Sequence, residues 1–397
     1  MSSFNAYLFS TPATPMNHNV STSSNVSLML PSILELSRQS LTDSILEMGE
    51  KKFRSDQLWR SLYHDVSNSF HEMSTLSKPF RKSLEEKYSI STLKEVMALT
   101  SSDLTTSKSL YRLCDGELIE TVMMRYESDG HRRNRKTACI STQAGCALGC
   151  TFCATGQQGF RRNLTVGEIV AQVIEMQRVA IAEDLAQIDG GQRTKGEVQG
   201  VTNVVFMGMG EPLANYKNTI SAIRVLNDGQ GLNIGARHIT VSTVGLIPEI
   251  LKLADEDLQI NLAISLHAPD NATRSQTMPV NKRYPVEELI NACHKYADKT
   301  KRRIFFEYVL LKEQNDSIEQ AQKLGRLLNG LHCHVNLIPV NPTTDGPFER
   351  TDLIGAKSFQ GGLKQYGIPS TVRMEKGIDI NAGCGQLRER AIEILDN

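Results

Sequence analysis

Three cysteines fall within eight residues, in the run Cys146-Ala147-Leu148-Gly149-Cys150-Thr151-Phe152-Cys153. Thiolates are soft ligands that suit zinc or iron–sulfur clusters. A structural zinc site wants four closed ligands, usually as two separated pairs, whereas this is a triplet. A ferredoxin-type cluster wants a fourth cysteine in a different run. Reduced core thiols are the bland alternative, but three cysteines on one glycine-containing loop do not look like packing. A four-iron cluster held by three thiolates keeps one iron open, and an open metal position can bind a substrate directly.

Something must hold this loop. From Thr137 onward strand-like and helix-like runs alternate. The strand candidates are 137–142, 201–207, 238–244, 260–266, 304–311 and 334–340, with helical patterns such as 166–179 and 286–296 between them. Repeated βα units imply a parallel sheet flanked by helices. Six units fit an open barrel, a partial (βα)6 barrel of α/β class, better than a closed eight-stranded one. In such folds chemistry sits at the C-terminal ends of the strands. The cysteine loop follows the first strand. Gly208-Met209-Gly210-Glu211-Pro212 follows the second. Ser242, Ser265-Leu266-His267 and Asn341 end the third, fourth and sixth.

Before the barrel, Leu41, Ile45 and Met48 recur at helical spacing ahead of Gly49, residues 53–63 repeat the pattern, and Lys78-Pro79 opens a further helix. These predict a small helical domain over 31–100. Two β-like runs, 109–113 and 118–124, flank Asp115-Gly116 and predict a hairpin within a linker, 101–136. Residues 137–397 complete the barrel. The stretch 183–200, with Gly190-Gly191, reads as a surface loop, and residues 1–30, which hold no Lys, Arg, Asp or Glu, as a disordered tail.

The cysteine spacing resembles that of the radical S-adenosylmethionine superfamily. Phe152, between the last two cysteines, fits the common form in which an aromatic ring shields the cluster. The resemblance implies a 4Fe-4S cluster on Cys146, Cys150 and Cys153, with S-adenosylmethionine chelated by the open iron and cleaved to a radical. Gly210 and Glu211 would then face the methionine ammonium. Ser242, Ser265, Leu266, His267 and Asn341 would hold ribose, carboxylate and adenine edges. His267 taken alone reads equally well as a core histidine.

The whole chain from about residue 31 resembles one family, the bacterial adenine C2 methyltransferases acting on 23S ribosomal RNA and transfer RNA. The matching stretches are 145–164, 207–212, 265–269, 336–342 and 382–386, with Gln57-Leu58-Trp59 and Leu62-Tyr63 in the helical domain. Adenine C2 lies between two nitrogens and is electron-poor, so ordinary methyl transfer fails there. The resemblance implies a two-stage route. Cys384 first takes a methyl group by displacement. A radical then forms on that S-methyl group and adds to the adenine, and Cys139 breaks the thioether by forming a disulfide. Glu120 matches the family's general base. Cys114, Cys293 and Cys333 match nothing and are expected to pack.

Lys and Arg together number 44, as do Asp and Glu. Net charge therefore offers no nucleic-acid signal, and RNA contact must come from local patches. Candidates are Arg132, Arg133, Arg135 and Lys136, then Arg161 and Arg162, then Lys301, Arg302 and Arg303. Eight cysteines are too few for a disulfide scaffold in a chain this long. No run of 18 apolar residues exists, so no membrane partner is expected. A cytoplasmic monomer is expected, reduced by a donor such as a flavodoxin or ferredoxin. Two rival readings are an adenine C8 methyltransferase of the related resistance family and a non-catalytic metal-binding RNA module.

Overall fold

The computed structural model describes residues 30–90, 92–127, 134–189, 198–341, 347–373, 376–383 and 385–387. Its N-terminal helices begin where short polar side chains can cap them. Ser37 accepts from Ser40 N (3.1 Å) to start Arg38–Glu47, and Ser77, followed by Pro79, starts Lys78–Lys87. The first ends before Gly49 at φ +79°. Phe53–Tyr63 buries Leu58, Trp59, Leu62 and Tyr63 on one side. The helices share a continuous apolar core with the rest of the chain. Arg178 ties them down, donating to Val66 O (2.8 Å) and Ser67 O (2.9 Å).

Twelve strands follow among the described residues: β1 (Lys94–Thr100), β2 (Thr106–Arg112), β3 (Leu118–Tyr126), β4 (Arg135–Cys139), β5 (Gln143–Gly145), β6 (Phe160–Asn163), β7 (Asn203–Phe206), β8 (Ile239–Thr243), β9 (Asn261–Ser265), β10 (Ile304–Leu310), β11 (Cys333–Pro339) and β12 (Ser370–Val372). Ten form one sheet in the order β1-β2-β3-β4-β7-β8-β9-β10-β11-β12. Pairing is antiparallel from β1 to β4 and parallel from β4 onward. The six expected barrel strands are all present. Their apolar residues, such as Val204, Val241, Leu262, Phe306 and Val335, pack against the core, while Thr137, Asn203, Thr240, Asn261, Glu307 and Asn336 face a cavity inside the barrel.

The structure departs from expectation in three places. Lys94–Thr100, expected at the end of the helical domain, is an edge strand paired with β2. The hairpin expected within a linker supplies β2 and β3 of the barrel's own sheet. The helix expected over 166–179 runs on through Val166–Asp189, so the first part of the expected loop 183–200 is helical. The rest of that loop, 190–197, and the tail 1–29 lie outside the described residues.

The C-terminal segment joins the two sides of the sheet. Arg373 N donates to Leu337 O of β11 (2.8 Å). On the far side Lys376 Nζ donates to Arg125 O (3.1 Å), and Lys108 Nζ to Asn381 O (3.2 Å). The segment carrying the expected methyl carrier therefore spans the gap of the open barrel.

Candidate active site

The cysteine loop grows out of the β5–β6 hairpin. Cys146 N donates to Gly159 O (2.8 Å), and Gly145, at φ +71°, has no room for a Cβ, which would run into Gly159 O. Only glycine accommodates both the left-handed backbone and the close approach. Cys153 N donates to Cys150 O (3.1 Å), and Cys153 leads into the short helix Ala154–Gln157. Burial raises all three thiols, Cys146 to about 11, and the charge of Cys153 adds to the rise of Cys146 and Cys150. Thiols this costly to ionise alone suit a site where metal supplies the compensating charge. Among the described residues no three His, Cys, Asp or Glu side chains converge on a single-ion position.

Above this loop a cavity of about 160 Å³ opens at the C-terminal strand ends, lined by Phe152, Cys153, Gly210, Glu211, Ser242 and His267 among others. Glu211 is buried. Its Oε1 accepts from Leu213 N (3.0 Å) and its Oε2 from Val244 N (2.9 Å). Burial nevertheless raises the carboxyl to about 7. Gly210, at φ +100°, lets the chain pass against Gln143. Ser242 and Ser265 sit side by side with their hydroxyls 3.4 Å apart. Asn341 lines the same cavity, and Leu266, between Ser265 and His267, is wholly buried.

His267 joins the core and site readings. Its Nδ1 accepts from Val309 N (3.0 Å), so the ring proton lies on Nε2. Burial, with the charge of Arg274 behind it, lowers its pKa to about 3, and its ring meets Phe152 edge-on at 4.9 Å. A neutral imidazole held this way is a fixed donor and aromatic wall rather than a base. The backbone there is left-handed at φ +57°. The sequence reading missed what supports it, Arg274, a wholly buried guanidinium bonding to Leu266 O (3.0 Å), Ser265 O (3.2 Å) and Asn281 Oδ1 (3.1 Å). Its signal was faint, one arginine five residues past Pro269.

A second cavity, about 320 Å³, fills the lower barrel interior, with Val122, Cys139, Asn336 and Gly383 in its wall. Cys139 is buried and pairs in register with Val122. Glu120, two residues before Val122 on β3, is also buried and forms an ion pair with Lys108 (2.9 Å). Cys384 itself lies outside the described residues, but its neighbours are informative. Gly383 lines the lower cavity and Gly385 the upper one. Gly385 O accepts from Ala154 N (2.8 Å), and Leu387 O from Thr155 Oγ1 (2.8 Å), which binds the segment to the cysteine loop. All described cysteines are free thiols.

Several basic candidates have other duties. Arg162 is held by Glu168 (2.8 Å) and by Asp115. Lys136 pairs with the buried Asp184 (2.8 Å), and Arg302 is partly buried and donates to Asn261 (3.2 Å). Arg135 stacks on Tyr126, 4.1 Å from the ring centroid. Arg132 and Arg133 lie outside the described residues. Arg161, Lys301 and Arg303 remain exposed or half-exposed. Cys293 and Cys333 pack as expected, while Cys114 is exposed.

A parallel partial barrel with a three-cysteine loop after its first strand, a glycine-rich acidic turn after its second and a cavity between them defines a radical S-adenosylmethionine enzyme. The model of the radical SAM superfamily matches residues 140–325, and that of the ribosomal RNA large subunit methyltransferase N-terminal domain matches residues 32–90. A probable dual-specificity RNA methyltransferase RlmN from Alkaliphilus oremlandii is 46% identical over 361 residues, covering 91% of this chain and 98% of the relative. One from Geobacillus kaustophilus is 45% identical, covering 91% and 93%. The crystal structure of a radical SAM methyltransferase from Sphaerobacter thermophilus superposes with a TM-score of 0.82 at 44% identity, covering 90% of this chain and 99% of that one. The chain belongs to the RlmN family of dual-specificity RNA methyltransferases. Its cofactors are accordingly a 4Fe-4S cluster and S-adenosylmethionine, and the reading as a non-catalytic metal module is set aside. Among the described residues no helix is long and apolar enough to cross a membrane.

Proposed function

We propose that the enzyme adds a methyl group to C2 of an adenosine in 23S ribosomal RNA and in transfer RNA. The observation that carries this reading is the meeting of two cavities, one beside Cys153 and Glu211, the other walled by Cys139, with the residues flanking Cys384 divided between them. Such an arrangement suits a carrier that serves a cofactor on one side and a base on the other.

In this reading Cys146, Cys150 and Cys153 hold the cluster. Glu211, with the backbone at Gly210, receives the methionine amino group, while Ser242, Ser265, the Leu266 backbone, His267 Nε2 and Asn341 hold the rest of the S-adenosylmethionine. When bound, the cluster and S-adenosylmethionine supply one-electron chemistry at a carbon closed to ordinary displacement. Cys384 would carry the methyl carbon and become linked through it to C2, the hydrogen atom and the electron given up in forming that bond going to the bound redox cofactors. Glu120 takes the proton that C2 must lose. The Cys139 thiolate then attacks the Cys384 sulfur. An S–S bond forms, the bond from sulfur to the transferred carbon breaks, and the released electron pair is protonated on the departing methyladenine. The helical unit and the exposed Arg161 and Lys301 suit contact with unpaired RNA, the usual target of specific recognition. The enzyme works as a cytoplasmic monomer with a flavodoxin or ferredoxin as reductant.

Cys139→Ala tests the scheme. It should purify with RNA joined covalently through Cys384, visible as a slow, nuclease-sensitive band on a denaturing gel, whereas Cys384→Ala should carry none. A Cys139→Ala enzyme that turns over like the wild type and carries no RNA would reduce Cys139 to a core residue.

A further inference from the structure

The mechanism above leaves unused the buried carboxyl that lines both cavities. Glu307, in the middle of β10, is 7% exposed and lines both cavities, as do Met207, Ile338 and Asn341. It is the one acidic side chain among the described residues lining the lower cavity. Its Oε1 accepts from Asn336 Nδ2 of the neighbouring strand (2.8 Å). No other described side chain donates to it, so its carboxyl has acceptor capacity turned toward the space where the cavities join. Burial raises its pKa, opposed by the charge of Arg373 and by the Asn336 bond.

The lower cavity is graded along its length. Toward the N-terminal strand ends it is half-exposed, with Phe305 and with Arg135 and Lys376 over the ring of Tyr126, while Arg373, just past β12 and bonded to Leu337 O, adds a third cation to its wall. At the inner end it is buried and nearly uncharged, with Cys139, Asn336 and Glu307. Cations toward the mouth and one carboxyl inside suit a nucleotide entering base first, its phosphates left at the mouth. At about 320 Å³ the space is in the range of small-ligand sites, ~300–1,000 Å³.

We infer that Glu307, oriented by Asn336, is the base-discriminating residue of the lower cavity, accepting a hydrogen bond from the exocyclic amino group of the target adenine. The inference rests on the proposed function. The carbonyl oxygen of a carboxyl group accepts in either protonation state, so the contact does not depend on which one Glu307 holds. A base with a carbonyl oxygen at that position would set acceptor against acceptor when the carboxyl is ionised, and a base with only hydrogen there would leave the buried carboxyl without its donor. Either mismatch is penalised because a buried polar group left unpaired loses its hydration without replacement. Asn336 fixes the other oxygen and so the direction in which Glu307 points.

The experiment compares single-turnover methylation of two synthetic RNA hairpins by wild type, Glu307→Ala and Glu307→Gln. One hairpin has adenosine at the target, the other purine ribonucleoside, which lacks the amino group. Intrinsic reactivity of each base cancels when enzymes are compared on the same RNA. Glu307→Ala should lose about tenfold or more on adenosine while its rate on purine stays within a few-fold of wild type. Glu307→Gln keeps a carbonyl acceptor and should restore most of the adenosine preference. Glu307→Met fills the same volume without an acceptor and should behave as Ala does, which removes collapse of the cavity as an explanation. Iron content and S-adenosylmethionine affinity should be unchanged in all three. Equal losses on both RNAs would overturn the inference, as would weakened S-adenosylmethionine binding with the adenosine-to-purine ratio intact, which would assign Glu307 to the upper cavity. A wild type that leaves adenosine unmethylated would overturn the functional reading and this inference with it. A wild type that methylates it, with Ala and Met variants of unchanged ratio, would overturn the inference alone.

Discussion

Lys108 Nζ stands 2.9 Å from Glu120 Oε1, with both side chains almost fully shielded from water, and the same ammonium donates to Asn381 O (3.2 Å) three residues before Cys384. One cation thus fixes the proposed base and the approach to the proposed carrier. Removing one partner of a buried ion pair leaves an uncompensated charge and costs about 3–5 kcal/mol. Lys108→Met should therefore lower the unfolding free energy by an amount of that order and slow methylation more than it weakens S-adenosylmethionine binding. Lys108→Arg should recover most of both. Chemical denaturation and single-turnover assays measure the two effects. A Lys108→Met protein with wild-type stability and rate would remove the pair from the account.

Glu211 supplies a pH dependence. Its carboxyl is raised to about 7 by burial, so at lower pH it is neutral and a poorer acceptor for the methionine amino group. Affinity for S-adenosylmethionine should fall as pH drops from 7.5 to 5.5, approaching a factor of ten per unit below the pKa. Glu211→Gln should bind more weakly at pH 7.5 and lose this slope. Anaerobic equilibrium titrations of both proteins across that range measure it. A wild-type affinity independent of pH there would place the amino group elsewhere.

Gly145 permits the hairpin beneath the cluster loop. A Cβ at that residue would meet Gly159 O, and φ is +71°. Gly145→Ala should push Gly159 away, loosen the Cys146 N to Gly159 O bond, and purify with less than half the wild-type iron and sulfide while the far-UV circular dichroism is preserved. Gly361, where a Cβ meets nothing within 4 Å, gives the control: Gly361→Ala should keep full iron.

Arg274 ties the ends of β8 and β9 together through bonds to Val244 O, just past β8, and to Ser265 O and Leu266 O at the end of β9, and also bonds to Asn281. A lysine cannot reach these acceptors with one point of charge. Arg274→Lys should cost about 3 kcal/mol of stability, judged from several charge-assisted bonds, and weaken S-adenosylmethionine binding by displacing Ser265 and His267. Thermal unfolding and titration check the two parts.

The residues proposed to hold cofactor and metal were legible because chemistry restricts their types and spacing. Cys146, Cys150 and Cys153, the turn at Gly208–Pro212 and the strand-end groups Ser242, Ser265 and His267 all fall at the ends of strands recognisable from their apolar runs. The supporting residues were not. Lys108 lies opposite Val122 and reaches Glu120 diagonally across adjacent strands, Asn336 stands opposite Glu307 in the register of β10 and β11, and Arg274 reaches Leu266 O and Ser265 O from the helix that follows them. No local pattern distinguishes a buried Lys or Arg from a solvated one. The strand Lys94–Thr100 was hidden for a related reason: its mostly exposed residues lack the apolar alternation that marks a half-buried strand. Among the basic patches, composition named the cations but could not show that Asp115, Glu168 and Asp184 had already claimed Arg162 and Lys136.

The central claim is tested most directly by identifying the product. The reconstituted enzyme, with S-adenosylmethionine and a reductant, is incubated with unmodified 23S ribosomal RNA or transfer RNA, and the digested nucleosides are separated by liquid chromatography and mass spectrometry. The account predicts a new nucleoside co-eluting with 2-methyladenosine and absent when Cys384→Ala replaces the wild type. A product co-eluting with 8-methyladenosine, or 2-methyladenosine formed equally well by Cys384→Ala, would contradict it.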